Sequence, residues 1–197
     1  MRTINCPYCG KKTVIPIVYG YPGAELSDKQ KKRELKLGGC EIKPDNPAKH
    51  CLSCHKDFDQ LHPCAFYVKN FNFLITGYYS TDLRFDIQAS VNGYRLIYIK
   101  SVNGDEGNGE PKEFLFDLMK WGEIWTKILK CFVFDWNDEY VNNNVIDGPS
   151  WELVIELLSE SGDGTTQIKR IIGTNHHPVY FNNLLKIFST IVGEKFS

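Results

Sequence analysis

The sequence predicts an α+β protein in two parts: a cysteine-rich module at residues 1–62 and a larger domain at residues 63–197. Two observations predict this division. Five of the seven cysteines precede residue 60, and four of those five form two CxxC pairs. The remainder alternates apolar and polar residues in several segments and carries two amphipathic segments, a pattern typical of an antiparallel sheet with two helices on one face.

The two CxxC pairs, Cys6/Cys9 and Cys51/Cys54, have the spacing of a structural zinc site. Four thiolates complete a tetrahedral shell, so such a site leaves no open position for water or a substrate. A module of about sixty residues buries little apolar surface, and a structural metal compensates for that deficit. We therefore predict that Zn²⁺ bound by Cys6, Cys9, Cys51 and Cys54 holds the module together.

Three elements are predicted between the two pairs. The β-prone run Thr13–Tyr19 indicates a strand, and the charged segment Ala24–Leu35 indicates a helix. A returning strand is predicted at Cys40–Ile42, with Cys40 as a small buried side chain. The module is then a zinc ribbon whose long connecting loop contains an inserted helix.

The segments CPYCG, IPIVYGYPG and LGGC, followed by the second CxxC pair, resemble uncharacterised bacterial zinc-ribbon proteins over roughly residues 4–58. The resemblance implies a ribbon and a zinc ion but no activity. One departure is His55, which follows the second pair where ribbons more often have glycine. Residues 147–184 also resemble the end of an uncharacterised bacterial α+β domain. In that domain the position of His177 is often tyrosine, so the resemblance implies no catalytic role for it.

The first half of the larger domain is predicted to form strands. Aromatic and alternating segments predict three of them, at Phe71–Tyr79, Leu83–Ala89 and Tyr94–Ile99. Asn92 and Gly93 are predicted to form the turn of the second hairpin, because both residues tolerate positive φ.

The second half predicts two helices around another hairpin. The first helix is expected from about Pro111 and the last from near Pro178, with His177 as its cap. The hairpin strands are predicted at Trp151–Leu158 and Thr166–Ile172. The first helix carries an apolar stripe that we expect to form core: Phe114, Leu118, Trp121, Trp125, Ile128 and Phe132.

Charge is unevenly distributed along the chain. Residues 1–63 contain 11 Lys/Arg and 7 Asp/Glu, a net charge of +4, whereas residues 64–197 contain 12 and 17, a net charge of −5. The run Lys31, Lys32 and Arg33 makes nucleic-acid binding an alternative function for the basic module. A solvated helix face would explain the same run.

An enzyme would have to use the polar loops beside the second hairpin. A hydrolase or nuclease could combine Asp147 with His176 and His177 around a metal. The sequence has no HExxH, GxSxG, P-loop or dinucleotide fingerprint, and turn and capping roles explain these residues equally well. The sequence therefore favours a non-enzymatic protein.

Two further expectations concern metals and location. A second metal site could draw on a nearby group of side chains: Cys40, His50, His55, His62 and Cys64. The chain enters its first CxxC pair at Cys6 with no secretion leader, and no apolar run is long enough to cross a bilayer. We expect a cytoplasmic, non-membrane protein that docks on a protein partner, with nucleic-acid binding and hydrolysis as the alternatives.

Overall fold

The computed structural model describes residues 4–59, 64, 67–78, 81–102, 109–145, 148–159 and 163–196. These residues form three α-helices and eleven strands in two mostly antiparallel sheets, which confirms the α+β class. The chain divides into two compact units, residues 1–62 and 63–197, here called the N-terminal unit and the C-terminal unit. None of the described helices is both long and apolar enough to cross a membrane.

The N-terminal unit contains a four-stranded sheet and one helix. The sheet order is β2-β1-β3-β4, with β1 and β2 parallel and the other pairs antiparallel. Its elements are β1 (Val14–Val18), α1 (Ala24–Lys31), β2 (Lys36–Leu37), β3 (Lys49–Cys51) and β4 (Asp57–Phe58).

Three predictions for this unit are wrong. Residues 40–42 form no strand, because the neighbours of β1 are β2 and β3. Cys40 is exposed rather than buried, and Ile42 is 75% exposed. The helix also ends at Lys31, before the predicted Leu35, since Arg33 adopts a left-handed φ of 58° that no helix can continue through.

The C-terminal unit is built on a seven-stranded sheet of order β8-β7-β6-β5-β10-β11-β9. All neighbouring pairs are antiparallel except β9 and β11, which are parallel. The strands are β5 (Val68–Tyr78), β6 (Thr81–Ser90), β7 (Gly93–Val102), β8 (Lys112–Phe116), β9 (Glu139–Val141), β10 (Ser150–Leu158) and β11 (Thr166–Thr174). The helices are α2 (Leu118–Leu129), α3 (Phe181–Val192) and a short 3₁₀ turn (Val133–Asp135).

Both helices pack on one face of this sheet, as predicted. Leu153, Phe73, Phe85 and Tyr98 lie side by side on neighbouring strands and are all buried. Phe188 of α3 lies on this row, with its ring centroid 4.6 Å from that of Phe85. The predicted burial of alternate β10 residues and of the α2 stripe is confirmed at these positions: Trp121, Trp125, Ile128, Trp151, Leu153, Ile155 and Leu157.

The start of α2 differs from the prediction. The helix begins at Leu118, and the preceding segment is strand β8, in which Phe114 pairs with Leu96. Asp117 is the N-cap, and its carboxylate accepts a 2.7 Å hydrogen bond from the Lys120 backbone N–H. Leu118 consequently lies outside the core and is 47% exposed.

Two local predictions were wrong by a few residues. Ser90 pairs with Gly93, so the turn uses Val91 and Asn92, one residue earlier than predicted. Glycine is required at position 93, because a Cβ there would overlap the carbonyl oxygen of Phe116. Helix α3 begins at Phe181 without a side-chain cap, and the ring of His177 instead stacks on that of Phe181 with centroids 5.0 Å apart.

Candidate metal centre

The first CxxC pair lies in a tight backbone turn. The Cys6 N–H donates to the Lys11 carbonyl oxygen at 2.9 Å, and the Gly10 N–H donates to the Cys6 carbonyl oxygen at 2.9 Å. Gly10 has a φ of 72°, in the left-handed region that glycine adopts without strain. This turn directs the thiols of Cys6 and Cys9 to the same side of the chain.

The second pair repeats both hydrogen bonds. The Cys51 N–H donates to the Lys56 carbonyl oxygen at 3.0 Å, and the His55 N–H donates to the Cys51 carbonyl oxygen at 2.8 Å. His55 has a φ of 59° and therefore occupies the conformation that Gly10 occupies in the first turn. The sequence departure at His55 thus leaves the turn intact and adds backbone strain, because its Cβ is disfavoured there.

Pairing of β1 with β3 brings the two turns together. Val14 lies opposite Cys51, and the Leu52 N–H donates to the Thr13 carbonyl oxygen at 2.9 Å. The Thr13 hydroxyl lies 3.6 Å from the Cys51 sulfur and 2.6 Å from the Ser53 hydroxyl. Sequence reasoning missed Thr13, because its place beside the cysteines comes only from the strand register.

The four cysteine sulfurs form one compact group. The Sγ atoms of Cys6, Cys9, Cys51 and Cys54 all lie within 4.8 Å of one another. The Cys6–Cys54 and Cys9–Cys51 sulfur distances are both 3.6 Å. Sulfurs at the corners of a tetrahedron with metal–sulfur bonds of about 2.3 Å lie about 3.8 Å apart. The predicted ligands therefore come together in a group that fits a metal ion.

The surroundings of the thiols affect their protonation. Burial raises the pKa of the Cys6 thiol to about 12 and also raises that of Cys54. Burial acts in the same direction on Cys51, but hydrogen bonds from the Cys54 backbone N–H and the Thr13 hydroxyl outweigh it and lower its pKa to about 6. Since metal ligands must be thiolates, binding of a cation displaces the protons from this group.

The alternative of a second metal site gains no support. His50 places Nδ1 2.5 Å from Oδ1 of Asp57, and Asp57 also accepts a 2.6 Å hydrogen bond from Lys36. Cys40 and Cys64 are exposed. Across the described ranges, the four cysteines are the one cluster of three or more metal-binding side chains, and His62 lies outside those ranges.

The basic run of the N-terminal unit is partly neutralised. Lys29 pairs with Glu25 at 2.6 Å, and Lys31 pairs with Asp28 at 3.2 Å. Such exposed helix pairs contribute little stability, but they reduce the positive charge that α1 presents. Nucleic-acid binding by this unit stays a prediction.

Described residues in the loops around His176 make structural contacts. The Asn175 side-chain amide donates to the Val145 carbonyl oxygen at 2.7 Å, and the Trp151 indole N–H donates to the His176 carbonyl oxygen at 2.9 Å. Asp138, another carboxylate of these loops, lies 2.5 Å from the Lys169 ammonium group. These contacts connect the end of the β10–β11 hairpin to its flanking loops.

A cavity of about 470 Å³ lies beside the two histidines. Its described lining includes Trp151, His176 and His177 but no carboxylate, and Asp147 lies outside the described residues. Burial, followed by the neighbouring His176, lowers the pKa of His177 and favours its neutral form. A histidine–carboxylate pair is therefore not present among the described lining residues, and the hydrolase alternative stays a prediction.

Comparisons with known proteins identify no family for this chain. No protein-family model matches the chain, and a search of curated proteins found no match. The resemblance to bacterial zinc ribbons over residues 4–58 stays a prediction.

Proposed function

We propose that this protein is a non-enzymatic interaction protein in which Zn²⁺ fixes the shape of the N-terminal unit. The observation that supports the proposal is the group of four cysteine sulfurs within 4.8 Å of one another. A metal with four thiolate ligands has no free coordination position, so it stabilises a fold and does not activate water.

Zinc is the metal that we propose for this group. Four thiolates in a tetrahedral arrangement select Zn²⁺ or iron, and a reducing cytoplasm keeps the thiols available for either. The two turns and their connecting strands support a zinc ribbon with α1 inserted between its knuckles. Metal analysis of the purified protein distinguishes the two ions directly.

The small core of the N-terminal unit supports a structural role for the metal. Apart from Cys6 and Cys51, the buried apolar side chains among its described residues are Ile17, Leu35 and Phe58. Three such side chains stabilise a fold by only about 5–9 kcal/mol before the entropy of the ordered chain is subtracted. The apolar residues Tyr21 and Ile42 are instead 91% and 75% exposed, where a partner could contact them.

The test combines metal analysis with partner capture from the native cells. Tagged wild-type protein is compared with Cys51→Ser, which removes a ligand, and with Cys40→Ser, which removes an exposed cysteine outside the cluster. We expect one zinc ion per chain in wild type and Cys40→Ser, and none in Cys51→Ser. We also expect a protein partner that is retained by the first two and lost by the third.

A second comparison separates protein docking from nucleic-acid binding. Tyr21→Ala should weaken retention of the partner, whereas Lys32→Glu with Arg33→Glu should leave it unchanged after nuclease treatment. Retention that disappears with nuclease and with the charge reversals would replace the docking proposal by nucleic-acid binding. A zinc-loaded protein that retains nothing would contradict the interaction function while leaving the metal site intact.

A further inference from the structure

Helices α2 and α3 of the C-terminal unit leave a groove of about 530 Å³ between them. Ile124 and Cys131 of the α2 side and Ile187 and Ile191 of α3 contribute apolar side chains to its lining. Along each helix the lining residues recur at three- and four-residue steps, so the groove follows both helix axes. Its floor is therefore mainly apolar, and one helix lies along each rim.

The rims of the groove are basic. Lys120, Lys127, Lys130 and Lys186 all line it, and its described lining contains no carboxylate. Lys120 pairs with Glu123 at 3.0 Å, whereas the other three lysines have no ion pair within the described parts of the chain. Four lysines at one groove contrast with the net charge of −5 over residues 64–197. The positive charge is thus a local property of the groove.

The chemistry of the groove is that of a binding surface. Burial raises the pKa of the Cys131 thiol to about 12, so the one cysteine in the lining is no nucleophile. Small-molecule sites surround most of their ligand, whereas this groove is bounded by two helices and open between them. An apolar floor between charged rims is the arrangement by which proteins bind an amphipathic helix.

We propose that the groove binds an acidic amphipathic helix of a partner protein. This inference deepens the proposed function and rests on it in one respect, that the protein acts by binding another protein. Helices α2 and α3 have 12 residues each, so each spans about 18 Å and matches about three turns of a bound helix. Apolar residues of the partner would cover the isoleucines, while its carboxylates would pair with Lys127, Lys130 and Lys186.

A nucleic acid fits these observations less well. A single strand needs exposed aromatic faces for base stacking, and the aromatic residue of the described lining, Phe116, is half-buried against the core. The net negative charge of the surrounding unit would also repel a long polyanion, whereas a short acidic helix meets only the local lysines.

The test uses the full chain with its metal and a fluorescein-labelled helical peptide of about 16 residues as probe. The peptide carries leucine at positions i, i+3, i+4 and i+7 and glutamate beside them, and a matched peptide has lysine in place of every glutamate. The double variant Lys127→Glu/Lys186→Glu reverses the charge of one lysine on each rim. Lys195→Glu reverses an exposed lysine of the same unit outside the groove, and Ile187→Ser alters the floor.

We expect wild type to bind the acidic peptide and not the basic one. The double variant should bind the acidic peptide at least about tenfold more weakly and should gain affinity for the basic peptide. The affinity of Lys195→Glu for the acidic peptide should stay within about twofold of that of wild type. Ile187→Ser, which changes no charge, should weaken binding of this peptide. Tryptophan fluorescence checks that each variant is folded, because all four tryptophans lie in the C-terminal unit.

Several results would overturn the inference. Equal binding of the acidic peptide by wild type and the double variant would do so, as would an unchanged affinity in Ile187→Ser. Tighter binding of a single-stranded oligonucleotide or of oleate than of the peptide would assign the groove to another ligand. Self-association that the double variant abolishes would assign it to a second copy of this chain.

The same variant separates this inference from the proposed function. If a partner captured from cells is retained by Lys127→Glu/Lys186→Glu as well as by wild type, the interaction function stands and the groove assignment is wrong. If the peptide binds as expected but no cellular protein is retained, the groove assignment stands and the adaptor function is wrong.

Discussion

The two units of this protein differ in how their folds are stabilised. The C-terminal unit has a connected core of 28 buried residues among those described, drawn from one face of its sheet and from both helices. The N-terminal unit has three buried apolar side chains besides two cysteines in its described part, and its cysteine sulfurs meet in one group. Hydrophobic burial therefore holds one unit, and a metal ion is expected to hold the other.

The largest expected effect is the selective unfolding of the N-terminal unit by metal removal. A structural zinc site contributes an apparent free energy of about 10–16 kcal/mol in small zinc-binding peptides, more than the whole stability expected of a unit of about sixty residues (about 3–9 kcal/mol). A chelator with a reductant should therefore abolish amide protection in residues 4–59 and leave the C-terminal unit protected. Hydrogen-exchange mass spectrometry measures both units in one sample, and equal loss of protection in the two units would contradict the comparison.

A core truncation should produce the reverse selectivity. Phe85 is fully buried, and its ring lies 5.1 Å from that of Tyr98 and 4.6 Å from that of Phe188. Phe85→Ala should lower the free energy of unfolding of the C-terminal unit by about 3–5 kcal/mol through the cavity that it creates. Urea unfolding followed by tryptophan fluorescence measures this loss, and zinc content should stay at the wild-type value. Tyr21→Ala, which removes an exposed ring, is the matched control and should change neither quantity.

A smaller, pH-dependent effect is expected from Glu194, which joins the end of α3 to the sheet. Its carboxylate lies 2.6 Å from the Lys112 ammonium group and accepts a 3.1 Å hydrogen bond from the Tyr98 hydroxyl. The hydrogen bond from Lys112 lowers the pKa of Glu194 below its ordinary value of 4.5. The folded state therefore gains stability from the ionised form above about pH 4.5 and loses it as the pH falls through the lowered pKa.

Glu194→Gln measures that contribution. We expect this variant to lower the free energy of unfolding by about 1 kcal/mol at pH 7, and by progressively less as the pH falls below 4.5. Urea unfolding followed by tryptophan fluorescence measures the change. Glu123→Gln, which breaks the exposed pair with Lys120, should have almost no effect at either pH. A cost for Glu194→Gln that is independent of pH would show that packing, not charge, is responsible.

The smallest expected effect is a gain of stability at the turn of the second CxxC pair, Cys51/Cys54. His55 adopts the left-handed backbone conformation that Gly10 adopts in the first turn. His55→Gly should stabilise the metal-loaded N-terminal unit by about 0.5–1 kcal/mol, and Gly10→Ala should destabilise it by a similar amount. Competition with a zinc chelator measures both changes. A weaker zinc affinity in His55→Gly would contradict this expectation. It would mean that contacts of the His55 ring stabilise the zinc-bound unit by more than the left-handed backbone of His55 destabilises it.

The metal cluster was predictable from the sequence because its signal is local. Each CxxC pair specifies a tight turn, and four thiols of one chain have few other uses in a reducing compartment. The hairpins were predictable for a similar reason, since side chains alternate between the two faces of a strand, and the residues that predicted β10 are buried where expected. The Glu152 and Glu156 carboxylates lie on the opposite face of β10, and each forms an ion pair with a side chain of a neighbouring strand, Arg170 or Lys69.

The wrong predictions have a common cause in tertiary contacts. Phe114 and Leu118 fit a helical spacing, but residues 112–116 pair with β7 and become its outer neighbour, so α2 starts later. Residues 40–42 fit a strand, but β1 has β2 and β3 as its neighbours in the sheet, so these residues form none. In both cases a partner distant in the sequence decided between two patterns that were locally acceptable.

By itself, the sequence determined the α+β class, the group of four cysteines that could hold a metal and the apolar faces of the strands, because spacing along the chain encodes these features. Only the tertiary structure decided the strand order, the place of Thr13 beside Cys51 and the basic groove. The groove depends on where two helices, separated by more than fifty residues in the chain, come to lie on the same sheet face. Packing over that distance follows from the summed fit of many side chains, which no local pattern records.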